Sequence, residues 1–436
     1  QGVQAPPSIT VLYFFVLFSL AFPALKIQAG LDMRFGQLVL MAVFACIFLR
    51  DLYYRRTEWD VLLLMVWVGL LFWSMSSLSV YPKIKEHVFV VKHAALYPAS
   101  MYLGVRMVRL IEPKYQIFVI EQVLGLSCLV AVALHFYPVA GLIHERPAHL
   151  SVHLKGSFWE QDEFAFFVGV FLLMSLTIRL EHEIWPKRKT LLGILYVAAL
   201  GCALWSMNKS VWIALNLVLL SLAMNARAIA YVRSQLRPMP LRNQASGRKV
   251  AWYCIIGGAV LITCLTAFNL CLPGDQRLVS EAMLRHKWEA ERGAALMASI
   301  ETISQEPWTG MGFGSVAGYF VPRHYGIIGV SQEMGQLFNS FLDLWMSVGV
   351  LGPLFLVVML WASFSRHSFP AVVVAPYLLV WMMLNPVAQL EYFYFFVGVS
   401  FGYARLTKAQ RRTATGRNNG EGCGTLGHCE LPNKLS

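Results

Sequence analysis

Charge is scarce in this chain. Only 14% of its 436 residues are Asp, Glu, Lys or Arg, against 57% hydrophobic ones. Val61 to Val80 and Val350 to Phe364 carry no charge at all. Runs of this kind are what a membrane interior demands, where about 20 apolar residues of helix cross a hydrocarbon core of about 30 Å. Strict apolar–polar alternation is also missing, which excludes a closed β-barrel and leaves helices as the way to satisfy the backbone in lipid. No internal repeat is visible, so the inverted-repeat signature of many secondary transporters is absent. The first apolar run lacks a basic leader and is followed by Lys26, so it reads as a first span and not as a cleaved signal. The basic excess is dispersed over separate loops, which excludes a nucleic-acid surface.

What is present is a series of roughly twelve apolar spans of membrane-crossing length. They lie near residues 9–27, 35–50, 60–80, 86–108, 117–137, 163–180, 190–207, 211–226, 250–272, 338–364, 369–387 and 390–405. The predicted fold is an all-α, polytopic membrane protein. One membrane domain covers residues 1–406, and an unstructured cytoplasmic tail covers 407–436. Alternate loops are rich in Lys and Arg: Arg50, Arg55 and Arg56; Arg106, Arg109 and Lys114; Arg179 and Lys187–Lys189; Arg227–Lys249; Arg366; and Arg405–Arg412. Positive loops stay in the cytoplasm, so the net charge of +12 is largely a topology signal. The opposite face is then periplasmic in a bacterial inner membrane. It carries the 138–162 loop and a long polar insert, 273–337.

Ionisable groups inside spans are expensive and point to function by default. Lys92 and His93 fall in the fourth span, with Glu121 of the fifth as a candidate counter-ion. Two readings of Lys92 stand: a side chain reaching the outer interface, or a cation at the mouth of a cavity for an anionic ligand. Lys209 lies in the short turn Ser206–Trp212, beside a helix N-terminus whose free N–H groups favour anions. Glu391 reads as interfacial. The 138–162 loop offers His144, Arg146, His149, His153 and Lys155 ahead of Gly156-Ser-Phe158. No carboxylate or cysteine set completes a metal site there, so no metal is expected. The eight cysteines sit mostly in spans, as small packing residues.

The insert holds a predicted helix from Ser280 to Gln305, with Leu284, Trp288, Ala295, Leu296, Ile300 and Ile303 at helical spacing. Pro307 ends it, and Gly310, Gly312 and Gly314 are expected to let backbone N–H groups approach an anion. The Lys-Ser/Thr ending of a nucleotide loop is missing.

Several of these segments recur in a fixed order. Gly156-Ser-Phe158 precedes a Glu-Phe-Ala entry to a span. An Asn-Lys-Ser turn follows at Lys209, and Arg292 stands fifteen residues before Pro307. Then come Pro307-x-x-Gly310-x-Gly312-x-Gly314 and Asn339-Ser-Phe-Leu-Asp-Leu-Trp-Met-Ser-Val-Gly-Val-Leu-Gly352. This order resembles the O-antigen ligase and O-antigen polymerase superfamily of bacterial envelope glycan transferases. The resemblance covers most of residues 150–360.

The resemblance implies a metal-independent glycosyltransferase without a cofactor. Its donor is a glycan on undecaprenyl diphosphate, and its acceptor is a hydroxyl of lipid A core or of another lipid-linked glycan. For a polymerase it also implies a chain-length regulator as partner. Arg292 occupies the family's arginine position, and Lys209 stands where many members have arginine. Together with Arg146, Lys155, Lys92 and Asn339 these residues are the expected diphosphate and glycan contacts. Phe338 replaces the histidine that usually precedes the asparagine, so His324 or His286 is expected to supply the base, with Glu333 as another candidate. That replacement tilts the expectation toward a polymerase. A flippase for a lipid-linked or anionic solute, or an inactive assembly partner, are the alternative readings.

Overall fold

A computed structural model describes residues 7–23, 25–28, 32–54, 84–139, 154–158, 161–185, 189–206, 214, 293–312, 339–364, 368–385 and 390–420. Among these residues the chain forms eleven helices and one small ribbon: α1 (Pro7–Ser19), β1 (Lys26–Gln28), β2 (Asp32–Arg34), α2 (Phe35–Tyr53), α3 (Ile84–Leu110), α4 (Pro113–Phe136), α5 (Gln161–His182), α6 (Lys189–Trp205), α7 (Gly293–Gln305), α8 (Ser340–Val348), α9 (Leu351–Ser363), α10 (Phe369–Leu384) and α11 (Glu391–Gly420). Three helices, Phe35–Tyr53, Pro113–Phe136 and Asp162–His182, are long and apolar enough to cross a membrane. Shorter apolar helices are Ser8–Ser19, Thr190–Trp205, Leu351–Ser363 and Phe369–Leu384. The molecule is a helical integral membrane protein. The spans expected at 60–80, 211–226 and 250–272 lie outside the described residues.

Local sequence sets the helix ends. Pro113 opens α4, where its missing N–H costs nothing. Pro98 and Pro376 sit inside α3 and α10, a placement that packed membrane helices tolerate. The ribbon joins α1 to α2, pairing Lys26 with Arg34 antiparallel, and the Phe35 amide donates to Leu25 O at 2.8 Å.

α3 and α11 form the most extensive helix pair. They run parallel: Ser100 Oγ donates to Glu391 O, Tyr97 stacks on Tyr394 at 4.2 Å, and Gly402 faces Val108. Small residues allow the approach. A Cβ added at Gly104 would meet Phe395 O and lie 2.9 Å from Val399 N, and one at Gly398 would meet Met101 O. Gly398-x-x-x-Gly402 has the small-residue spacing by which membrane helices pack closely. Beside this pair, α5, α10 and α11 share an aromatic core of Phe166, Phe167, Phe171, Tyr377, Trp381 and Tyr392.

Two buried ion pairs lock the basic end of the bundle. Arg106 of α3 meets Asp51 of α2 through Nε and Nη2, both at 2.7 Å, and Tyr102 donates to the same carboxylate. Arg179 of α5 forks onto Glu121 of α4, again with two contacts of 2.7 Å. Glu121 is therefore the partner of Arg179, which corrects the expectation that it answers Lys92. A buried guanidinium with a fixed two-pronged geometry takes both oxygens of a carboxylate.

Two further expectations change. The span predicted over 338–364 is broken at Gly349 into α8 and α9. The helix predicted to end near 405 continues to Gly420, through a stretch in which no proline interrupts it and only Gly416 recurs before the end. Residues 407–420, expected to be unstructured, are thus helical.

Candidate functional site

The break at Gly349 explains the glycine-rich run. Gly349 adopts φ +69°, and its amide donates to Trp345 O at 2.8 Å, closing α8. A helix end leaves carbonyls without partners. Here Met311 N donates to Met346 O at 2.7 Å and Gly312 N donates to Ser347 O at 2.8 Å. In return Pro307 O accepts Val350 N and Trp345 Nε1, both at 3.1 Å. Gly310, at φ +65°, has no room for a side chain: a Cβ would lie 2.5 Å from Gly349 N and 2.8 Å from Met346 O. These glycines serve a backbone-to-backbone dock. The expectation that their N–H groups receive an anion is corrected for Gly310, whose N–H donates to Glu306 O at 3.1 Å, and for Gly312, whose N–H is spent on the broken helix. Gly314 lies outside the described residues.

α7 leads into this dock. Ala295, Ala298, Ser299, Thr302 and Ile303 form its buried side, while Met297 and Ile300 are exposed. The packed face is thus made of small residues, and the expected apolar stripe through Leu296 and Ile300 is only partly used. Small side chains allow α7 to lie close against α8. Arg292 immediately precedes α7 in sequence.

A small pocket with charged and apolar walls lies at the other end of the bundle from the two ion pairs. It is lined by Ser19, Leu20, Pro23, Arg34, Gly36, Gln37, Phe158, Glu163, Glu391 and Tyr392. Five segments converge on it: the end of α1, β2 with the start of α2, the 154–158 turn, and the first turns of α5 and α11. Gln37 Nε2 donates to Glu391 Oε1, and the Arg34 amide donates to Gln37 Oε1 at 3.1 Å. Tyr392 OH donates to Glu163 O at 3.2 Å. Glu391 is only 3% exposed, which corrects its reading as an interfacial residue. Burial alone would lower the Arg34 pKa, but the charges of Glu163 and Glu391 more than offset this and raise it. Arg34 is accordingly held in its charged form by the field of these two carboxylates.

The expected site residues distribute unevenly. Asn339 caps α8: its Oδ1 accepts from Phe341 N at 2.8 Å and Leu342 N at 3.2 Å, and its Nδ2 donates to Met383 O at 3.0 Å. Both ends of its amide therefore hold backbone. Lys155 is buried in the 154–158 turn, where Gly156 adopts φ +58° against Ala131. Lys92 falls within α3, and its side chain lies outside the described residues. Arg146, Lys209, His286, Arg292, His324 and Phe338 lie outside them as well. Among the described residues no group of three or more His, Cys, Asp or Glu side chains is placed to hold a metal.

Sequence reasoning passed over Arg34 and Gln37, and met Glu163 only as part of a motif. Arg34 and Gln37 stand at a span boundary, where charge is ordinary, and only the return of α11 to α2 brings them beside Glu391. Asp343 was quoted only as part of a motif. It is buried on α8, close enough for its charge to act on both rings of the Tyr97–Tyr394 stack. An acidic residue inside a predicted span was the signal available for it.

The segment that joins the pocket to the glycine dock is the one that comparison with known families picks out. Residues 164–357 match the sequence model of a family described as O-antigen ligase. The matched segment opens one residue after Glu163 and runs through α5, α6, α7, the dock, α8 and most of α9. No curated protein matches the chain. The matched segment thus contains the broken helix and its glycine cap, while α1, α2, α3, α4, α10 and α11 lie outside it.

Proposed function

We propose that this protein transfers a glycan from undecaprenyl diphosphate to an acceptor hydroxyl at the periplasmic face of a bacterial inner membrane. The single observation that carries the reading is the O-antigen ligase match over residues 164–357. The dispersed basic loops support the orientation, since they put the Arg34–Glu163–Glu391 end outside. On that side no nucleotide donor is at hand, and a lipid-linked diphosphate carries its own leaving group.

The chemistry asks for fixed positive charge where the diphosphate departs. Arg292, Arg146, Lys155 and Lys209 are the proposed sources, with the arginines suited to two-pronged phosphate contact. Lys92 is proposed to lie near the mouth of the lipid cavity. The reaction needs no metal in this reading, because these cations take the role a divalent ion plays elsewhere. The replacement of histidine by Phe338 favours polymerase over ligase, with a second lipid-linked glycan as acceptor.

Purified protein incubated with lipid-diphosphate-linked glycan tests this. The expected result is a lengthened or transferred glycan without added nucleotide and with chelator present. Arg292→Ala is expected to lower the rate by about 10²-fold or more, the scale for removing one transition-state charge contact. Glycan carried across sealed vesicles with no new glycosidic bond refutes transfer and identifies a flippase instead.

A further inference from the structure

We infer that Cys128 of α4 and Cys202 of α6 form a disulfide that clamps these two helices together beneath the 154–158 turn. Geometry puts both side chains in one seam. On α4, Glu121, Gly125, Cys128 and His135 follow at helical spacing and share one stripe. The other three members of that stripe all meet α6. Tyr196 OH donates to Glu121 Oε1 at 2.9 Å, a Cβ added at Gly125 would lie 3.2 Å from Leu195 Cδ1, and the His135 and Trp205 rings are 5.0 Å apart. On α6, Leu195 and Cys202 stand two turns apart on one face. Both cysteines are buried free thiols, and each lies within hydrogen-bonding reach of the other.

A disulfide joins Cβ atoms about 3.5–4.5 Å apart, so two thiols already in contact across a close seam need little movement to close. Packing alone does not call for sulfur here, since the buried side of α6 elsewhere uses Ala199, Ala203 and Ser206. The position also suits oxidation. Cys202 stands in the last turn of α6, at the end of the bundle away from the basic loops. That end is the one proposed to face the periplasm, where disulfides form and persist. The turn above rests on both helices. Leu154 N donates to Trp205 O at 3.4 Å, and Gly156 packs so closely on α4 that an added Cβ would lie 2.8 Å from Ala131 Cβ. Linking α4 to α6 therefore fixes the base on which the turn carries Lys155.

The co-reactant is a small-molecule disulfide, and the step is thiol–disulfide exchange. Cys202 attacks one sulfur of that disulfide, forming a mixed disulfide and releasing one small thiol. Cys128 then attacks the Cys202 sulfur, and the second small thiol leaves. The two cysteines are oxidised by two electrons, the co-reactant is reduced by two, and the two thiol protons end on the released thiols. The second attack is intramolecular, so contact between the two side chains favours it strongly. The inference does not depend on the glycan-transfer reading.

The test uses the full chain in detergent or nanodiscs. One sample is treated with oxidised glutathione, a second with lipid-soluble copper–phenanthroline so that access does not decide the result, and a third with dithiothreitol. Each is denatured, alkylated with N-ethylmaleimide, digested and read by mass spectrometry. In the oxidised samples the peptides bearing Cys128 and Cys202 are expected to be joined in most chains. After dithiothreitol they are expected apart, each with its own label. In Cys202→Ser, Cys128 is expected to keep the label after either oxidant. Wild-type protein alone also decides, whether or not the variant folds: both cysteines still labelled after both oxidants overturns the inference, and so does Cys128 joined to any other cysteine. The clamp has its own readout. The oxidised chain is expected to melt several degrees above the reduced one, because the link closes a long loop, and Cys202→Ser is expected to show no such difference. A disulfide that forms and leaves the melting temperature unchanged overturns the clamp.

Discussion

The Glu121–Arg179 pair makes a prediction with a built-in asymmetry. The two side chains are 11% and 7% exposed, so neither is hydrated by bulk water. Breaking a buried pair by removing one partner costs about 3–5 kcal/mol, because a charge is left behind. The two single deletions leave different remnants. In Glu121→Leu, Arg179 loses its contacts through Nε and Nη2 and keeps the bond from Nη1 to Ile184 O at 2.9 Å. It cannot shed its proton, since a guanidinium stays charged in a protein. In Arg179→Met, Glu121 keeps two hydroxyl donors, Ser175 Oγ at 2.6 Å and Tyr196 OH at 2.9 Å. It can also neutralise by taking up a proton. Glu121→Leu is therefore expected near the upper end, about 5 kcal/mol, and Arg179→Met near the lower end, about 3 kcal/mol or less. The double variant Glu121→Leu/Arg179→Met removes both charges and leaves Ser175 and Tyr196 bonded to each other at 2.8 Å, so it is expected to cost less than Glu121→Leu alone. Reversible denaturant unfolding in a fixed detergent, read by tryptophan fluorescence, measures all three. A larger loss for Arg179→Met than for Glu121→Leu refutes the reasoning, as does a double variant whose cost equals the sum of the singles.

Two other perturbations test the packing around the site. Gly104→Ala brings a methyl group to 2.9 Å from Val399 N and against Phe395 O, where ordinary contact begins near 3.4 Å. The helices must separate by at least half an ångström, so a loss of about 1–3 kcal/mol is expected, seen as a lower melting temperature. A change of less than about 0.5 kcal/mol would show that α3 and α11 are not in close contact. Asn339→Ala removes the cap of α8 and the tether to Met383 O, for an expected loss of about 1–2 kcal/mol in stability. Asn339→Asp keeps the cap and is expected to recover most of that loss. A variant that transfers no glycan while melting like the wild type would return Asn339 to the substrate site.

Length and apolarity made the span positions legible, because crossing lipid is a one-dimensional requirement that a single stretch of sequence meets or fails. α3, α4, α5, α6 and α10 lie within a few residues of expectation for that reason. The break at Gly349 was not legible, since apolar residues continue unchanged through it. Only the docking of residues 307–312 shows why the helix stops there. Pairing was the other blind spot. Glu121 was visible as a costly charge, but Arg179 was read as an orientation signal, and nothing in periodicity joins residues 58 apart across α4 and α5. Asn339 was visible as a motif residue and is explained by backbone capping, a role that the same residue type serves in any helix start. The pocket at Arg34 escaped for a related reason: its members come from residues 19 to 392, and each is unremarkable where it stands.

The parallel pairing of α3 with α11 has a consequence for biogenesis. Ser100 and Glu391 are 291 positions apart, yet they belong to one close-packed seam. During synthesis, α3 enters the membrane with Gly104 and Ser100 facing no partner, and it waits until residues 391–402 have been made and inserted. Through that interval the nascent bundle lacks its central contact, and long-range closure of this kind is slow and exposed to misassembly. The step that brings α11 home also delivers Glu391 to Gln37, so the pocket comes into being at the same moment as the finished bundle. Quality-control proteases that sense unpaired membrane helices would therefore survey the same seam whose closure makes the protein competent.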